Sequence, residues 1–204
     1  MNDYQKEQAE SLTIVRKHLS SLNISQKETL FEMASEYFSF RKEVDSFLHY
    51  YFGHVCNLKC YQNRLSACCG RDGIITFFAD MVINALVSSE QDLDRLDAAV
   101  SSNCNTVIKC IYLGNKGCLW KLKPIVCEMF LCHSAMSDVF EKFPEAALKW
   151  KRLKQQEMLF KWPDQPVLFD LLEEVFLTAG YRSSLMYFHN SPGLLRIKQQ
   201  AGLL

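Results

Sequence analysis

The stretch Leu30-Phe-Glu-Met33-Ala-Ser-Glu-Tyr37-Phe-Ser-Phe-Arg-Lys-Glu-Val44-Asp-Ser-Phe47-Leu48-His-Tyr-Tyr51 sets its apolar residues three, four and seven positions apart. That spacing gathers them on one side of an α-helix, because side chains three and four apart share a face. Upstream, Leu12, Val15, Leu19 and Leu22 repeat the pattern, so two long amphipathic helices are expected to open the chain. Ser25 followed by Glu28 has the form of a capping box, which satisfies free N–H groups at a helix start. The second helix is therefore expected to begin near Gln26.

Further along, Ile74, Phe77, Phe78, Met81, Val82 and Ala85 form a third stripe, and Ser89 to Val100 reads as a shorter, more polar helix. A helix over about Ala135 to Lys142 precedes Pro144, which suits the first residue of a helix running to about Phe160. Trp162-Pro163 breaks the chain. Val167, Leu168, Leu171, Leu172, Val175 and Phe176 mark another helix, closed at Gly180 where a left-handed cap costs glycine little. Ser191-Pro192 opens a last short one. Sustained period-two alternation, hairpin dipeptides between β-branched runs and internal repeats are missing from the sequence, so an all-α fold is expected. The Met and aromatic stripes read as core.

Composition fits a soluble globular chain. Of 204 residues 49% are hydrophobic and 23% charged, with 23 basic and 23 acidic side chains. No run of like charge points to nucleic acid. Residues 1–10 lack the apolar segment of a secretory signal, so a cytoplasmic location is expected. Asp80 and Asn84 interrupt the most apolar run, Ile74 to Val87, and no membrane span is expected. None of the eight glycines forms a GxGxxG or GxxxxGK loop, which argues against a self-contained nucleotide-binding or S-adenosylmethionine-binding domain. A single domain is expected: N-terminal helices over 1–55, a cysteine-rich core over 56–133, and C-terminal helices over 134–204.

All nine cysteines lie between positions 56 and 132. They fall into Cys56-x3-Cys60-x7-Cys68-Cys69 and Cys110-x7-Cys118-x8-Cys127-x4-Cys132, with Cys104 left between. Four thiolates close a tetrahedral zinc site or hold one iron–sulfur cluster, so each quartet has the ligand count for one site. Cys56 and Cys60, four apart, face one way on a helix, whereas the neighbours Cys68 and Cys69 are expected to diverge. Competing readings are disulfides, disfavoured by the odd count; buried thiols acting as small hydrophobes, which suits Cys104; and a catalytic thiol, which needs one activated sulfur rather than eight. His54 and His133 adjoin cysteines and could each replace a thiolate. Lys121 and Lys123 could offset thiolate charge or face solvent.

The second quartet is similar to the YkgJ-type family of CxxCxxCC zinc- or iron-chelating domains. That signature combines an opening Cys-Pro-Phe-Leu, a glycine-cysteine element, an aromatic residue before Arg-Pro, a cysteine three residues after that proline, and an aromatic before a closing cysteine. Leu113, Gly117, Cys118, Pro124, Cys127, Phe130 and Cys132 match it, and Cys68-Cys69-Gly70 resembles the family's upstream Cys-Cys element. Ile111 stands in place of the proline, Lys123 of the arginine and Trp120 of a tyrosine, and the gap from Cys60 to Cys68 is wider. The resemblance covers about residues 56–133. It implies zinc or an iron–sulfur cluster held by Cys56, Cys60, Cys68, Cys69, Cys110, Cys118, Cys127 and Cys132. The expected function is metal binding with a mainly structural or protein-partner role. The alternative is an iron–sulfur redox enzyme, or a methyl-transfer protein related to the flagellin lysine N-methylases that carry the domain.

Overall fold

The computed structural model describes residues 3–66, 68–70, 75–102, 109–161 and 167–186, and they are mostly helical. In chain order they form α1 (Asp3–Ser21), α2 (Ile24–Met33), α3 (Ser35–Phe47), two π-helical segments, π1 (Leu48–Phe52) and π2 (Val55–Tyr61), then α4 (Phe78–Val87) and α5 (Glu90–Ser101). A two-stranded hairpin follows, β1 (Leu113–Gly114) and β2 (Gly117–Cys118), and then α6 (Ile125–Glu128), α7 (His133–Phe140), α8 (Pro144–Lys161) and α9 (Leu168–Thr178). No described helix is long and apolar enough to cross a membrane.

The organising element is α4. Every residue from Phe78 to Ala85 is buried, Asp80 and Asn84 included. A helix buried on all sides needs neighbours all round, and α1 and α9 both pack on it, α1 also meeting α5 and α9 also meeting α8. Aromatic edges fill the seams: Phe78 meets Phe176 with ring centres 5.1 Å apart, and Phe77 meets Phe169 at 5.5 Å. On α8, Ala146, Trp150, Leu153, Glu157 and Lys161 form a narrow buried stripe at helical spacing, with Trp150 stacked on Phe47 at 5.4 Å.

Several boundaries follow the sequence. Ser89 caps α5, its hydroxyl accepting the Asp92 N–H while the Asp92 carboxylate accepts the Ser89 N–H. Pro144 opens α8, and Gly180 sits in the left-handed region at φ 86° just past α9. Others differ. The second helix starts at Ile24, capped by Asn23, whose side chain and that of Gln26 exchange hydrogen bonds of 2.9 Å with each other's N–H. Ser25 and Glu28 lie inside the helix, because the earlier box adds a turn, with the Lys27 N–H donating to the Asn23 carbonyl. The long second helix is divided at Ala34 and widens into π1 and π2. The hairpin is a strand pair that the sequence does not announce; Gly117 at φ 111° makes its return. Cys104, Trp162-Pro163 and Ser191-Pro192 lie outside the described residues.

Candidate metal centre

Cys56 and Cys60 ride on π2, at the end of the helical run begun by α2 and α3. The turn after π2 is tight. The Leu65 N–H donates to the Cys60 carbonyl at 2.9 Å, and Arg64 and Ser66 hold positive φ, 59° and 37°, an arrangement that costs non-glycine residues energy. Lys109 steadies the turn by donating to the carbonyls of Leu65 and Ser66. Beyond it, Gly70 makes an antiparallel bridge with Lys109, and the Cys110 N–H donates to the Cys69 carbonyl at 3.0 Å. Backbone pairing thus lays the vicinal cysteines beside the start of the second quartet.

From there the hairpin turns the chain back, with Leu113 opposite Cys118 and the Leu119 N–H on the Tyr112 carbonyl at 2.9 Å. Three buried side chains then grip the approach to Cys127. Asn84 accepts the Leu122 N–H at 2.9 Å, Arg41 donates to the Lys123 carbonyl at 2.9 Å, and Asp80 accepts the Ile125 N–H at 3.0 Å. Asp80 also accepts the Phe77 N–H at the start of its own helix, at 3.0 Å. Burial lifts the Asp80 carboxyl to about 6, against the pull of these N–H groups and of Arg41 and Lys161. Glu128, buried beside them, pairs with Lys123 at 3.0 Å and lies 3.9 Å from Arg41. Cys132 then stands at the start of α7, its side chain making no cap hydrogen bond. Because α7 packs on π2, with Lys59 and Asp138 paired at 2.7 Å, Cys132 returns to the neighbourhood of Cys56 and Cys60.

None of the eight described cysteines is disulfide-bonded. Cys56 and Cys68 are exposed and the other six half-buried. Burial, then the charges of Cys68, Cys132 and Cys60, push the Cys56 thiol up. Burial likewise raises Cys118, lifts Cys110 to about 11 and lifts Cys127 to about 12, with help from neighbouring thiols at all three, from Glu128 at Cys118 and from Asp80 at Cys127. Backbone N–H groups oppose the rise: those of Tyr112 and Leu113 at Cys110, of Trp120 at Cys118 and of Ile75 at Cys127. N–H donors aimed at sulfur favour its anionic form, the form that binds metal. The expected divergence of Cys68 and Cys69 is not found. Their sulfurs lie 3.9 Å apart, and the hydrogen bond between them pushes Cys68 up and Cys69 down.

The packing of α7 on π2 carries Cys132 toward Cys56 and Cys60, and Cys69 lies beside both Cys68 and the backbone of Cys110. Among the described residues no three His, Cys, Asp or Glu side chains already stand within one coordination sphere. Thiolate sulfur is the soft donor that zinc and iron–sulfur clusters take, and the N–H groups aimed at Cys110, Cys118 and Cys127 favour that anionic form, so the donor chemistry fits such a group.

Lys123 pairs with Glu128 at 3.0 Å while its side chain stays half exposed. Neither His54 nor His133 has a described contact with a thiol. His54 lines a surface cleft with His49, Gly53, Asn57 and Leu58, and His133 begins α7. Sequence reasoning passed over Arg41, Asp80 and Asn84 as site residues. The signal was present in the last two, polar residues four apart in an otherwise apolar helix. Searches of protein-family models, curated proteins and solved structures return no match to this chain.

Proposed function

We propose that this chain is a metal-thiolate protein in which Cys56, Cys60, Cys68, Cys69, Cys110, Cys118, Cys127 and Cys132 would hold zinc or an iron–sulfur cluster, with a structural role. The reading rests chiefly on the pairing of residues 69–70 with 109–110, which brings cysteines some forty positions apart onto adjoining strands of backbone. A centre closed by thiolates keeps no open position for substrate and acts as a cross-link between the segments that supply them. Those segments are π2, the turn after it, the hairpin, α6 and the start of α7, so bound metal would cross-link stretches of chain far apart in sequence. The half-exposed or exposed Leu58, Tyr61, Leu65 and Phe130 lie close in sequence to the cysteines and offer apolar surface to a protein partner.

The test is purification without oxygen, followed by metal analysis by mass spectrometry and a visible spectrum. Zinc without visible absorbance supports the structural form and removes the iron–sulfur redox alternative. Iron with sulfide and a brown colour identifies a cluster. A native protein with no metal and every thiol open to titration refutes the proposal.

A further inference from the structure

Cys68 and Cys69 are neighbours in the chain, and their sulfurs approach to 3.9 Å. In an extended strand adjacent side chains point to opposite faces, so this approach belongs to the turn that carries them. The turn fixes Cys69 on both sides. Its N–H donates to the Ser66 carbonyl at 2.9 Å, and its own carbonyl accepts the Cys110 N–H at 3.0 Å. Gly70 is bridged to Lys109, whose ammonium donates in turn to the carbonyls of Leu65 and Ser66. Cys68 is exposed, Cys69 is half-buried, and neither is in a disulfide.

Two adjacent thiols can be joined sulfur to sulfur or bridged by a third atom. Direct joining suits this pair poorly. A disulfide holds its sulfurs at about 2.05 Å between Cα atoms usually about 4.4–6.8 Å apart, whereas a trans peptide sets neighbouring Cα atoms about 3.8 Å apart. A bridging atom leaves the sulfurs closer to the separation they already have. It must be soft, to suit sulfur, and it must be satisfied by two sulfurs, because among the described residues no three His, Cys, Asp or Glu side chains form a group able to hold one ion. Trivalent arsenic carrying one organic group meets both conditions. Carbon takes one of its three positions and leaves two for sulfur.

We propose that Cys68 and Cys69 form a dithiol site for monosubstituted trivalent arsenicals. The reaction is a condensation. Two S–H bonds break, two As–S bonds form, and the oxygen of the organoarsenic oxide leaves as one water; arsenic stays trivalent, so no oxidant or reductant takes part. Exposed Cys68 is the sulfur reached first, and Cys69, already 3.9 Å from it, closes the ring. With the Cys69 backbone held beforehand, little conformational freedom is lost in that second step. A lone thiol lacks this advantage, since its single As–S bond exchanges with any free monothiol. The site stands on the geometry of the pair and is independent of the metal-thiolate reading, with which it competes for the same two sulfurs.

The experiment gives the full-length reduced chain one equivalent of phenylarsine oxide in a large excess of β-mercaptoethanol. Intact-mass spectrometry reads the adduct, and metal content is measured in the same samples. Wild type is expected to keep one phenylarsenic group per chain against the monothiol and to surrender it to the dithiol dimercaptopropanol. Cys68→Ser and Cys69→Ser should each lose the monothiol-resistant adduct, whereas Cys56→Ser, which removes the other exposed thiol, should keep it. Because a change at half-buried Cys69 can disturb the fold, Cys68→Ser with unchanged helical circular dichroism carries the decision. A wild type without a resistant adduct, or a Cys68→Ser variant that retains it, overturns the proposal. A chain that captures the arsenical but holds no metal upholds this site and refutes the metal-thiolate reading; one that holds metal and whose Cys68→Ser variant keeps the adduct does the reverse.

Discussion

Replacing Asp80 with Asn should change how stability depends on pH, by an amount that follows from the carboxylate's surroundings. The carboxyl is fully buried in α4, accepts the Phe77 and Ile125 N–H groups, and is faced by Arg41 from α3, Lys161 from α8 and Cys127 from α6. Burial outweighs these supports and lifts it from the ordinary 3.8 to about 6. Below about pH 4 the folded and unfolded chains both carry the proton, and Asp80 contributes no pH dependence. Between about 4 and 6 only the folded chain holds it, so stability falls as pH rises. Above 6 both have released it, and the folded chain keeps a buried charge.

At about 1.4 kcal/mol for each tenfold change in proton affinity, the fall amounts to about 3 kcal/mol. Asn has nearly the same shape and no proton to lose. The stability of wild type minus that of Asp80→Asn should therefore drop by about 3 kcal/mol between pH 4 and pH 7.5. Urea unfolding followed by far-ultraviolet circular dichroism, in reductant and at half-unit pH steps, measures both curves. The comparison cancels the other titrating groups, which the two proteins share. Parallel curves would refute the reasoning, since they would mean that Asp80 ionises alike in both states and that α4 does not bury a charge.

Further outcomes are specific to other positions. Asn23→Ala should cost about 1 kcal/mol through loss of a helix cap, while Ser25→Ala should change urea stability by much less; the reverse order would place the helix start at Gln26 after all. Arg41→Met strips the Lys123 carbonyl and the Tyr37 hydroxyl of their donor and leaves Glu128 with Lys123 alone, an expected loss of about 3–5 kcal/mol in the same assay. Adding Glu128→Gln should recover part of that loss, and no recovery would show that the Arg41–Glu128 attraction is immaterial. Asn84→Ala removes the acceptor of the half-buried Leu122 N–H and should cost about 1 kcal/mol, measurable as a lower urea midpoint with an unchanged slope.

The helices were legible because an apolar stripe at helical spacing is a local property. Leu12 to Leu22 and Leu168 to Phe176 needed nothing beyond their own neighbours, and Pro144, Ser89 and Gly180 punctuate the chain by covalent geometry or short-range hydrogen bonds. The start of α2 was misplaced because Asn23-Gln26 and Ser25-Glu28 are overlapping boxes of the same form, and choosing between them depends on how much helix each allows. The widening into π1 and π2 has no local signature. Both π-helical segments pack against α7, which lies some eighty residues further along the chain.

The cysteines show the same division. Their clustering was plain from position, but the contacts that place each of them were not, because those contacts join segments far apart in sequence. Moving Cys132 to the side of Cys56 depends on α7 packing on π2, and tying Cys69 to Cys110 depends on a bridge across the whole of α4 and α5. The divergence expected of Cys68 and Cys69 assumed regular helix or strand, whereas they follow a turn with positive φ at Arg64 and Ser66.

The bridge between Gly70 and Lys109 also bears on the order in which the protein can come apart. In the chain α4 and α5 lie between those two residues, so the backbone pair works like the cord of a drawstring bag with the most buried helix among its contents. A cross-link across the neck of that bag closes a loop of about forty residues, and by chain entropy alone this disfavours the unfolded state by about 4 kcal/mol. Fastening the neck thus secures the most buried helix without touching it, and loosening the neck frees α4 from one end.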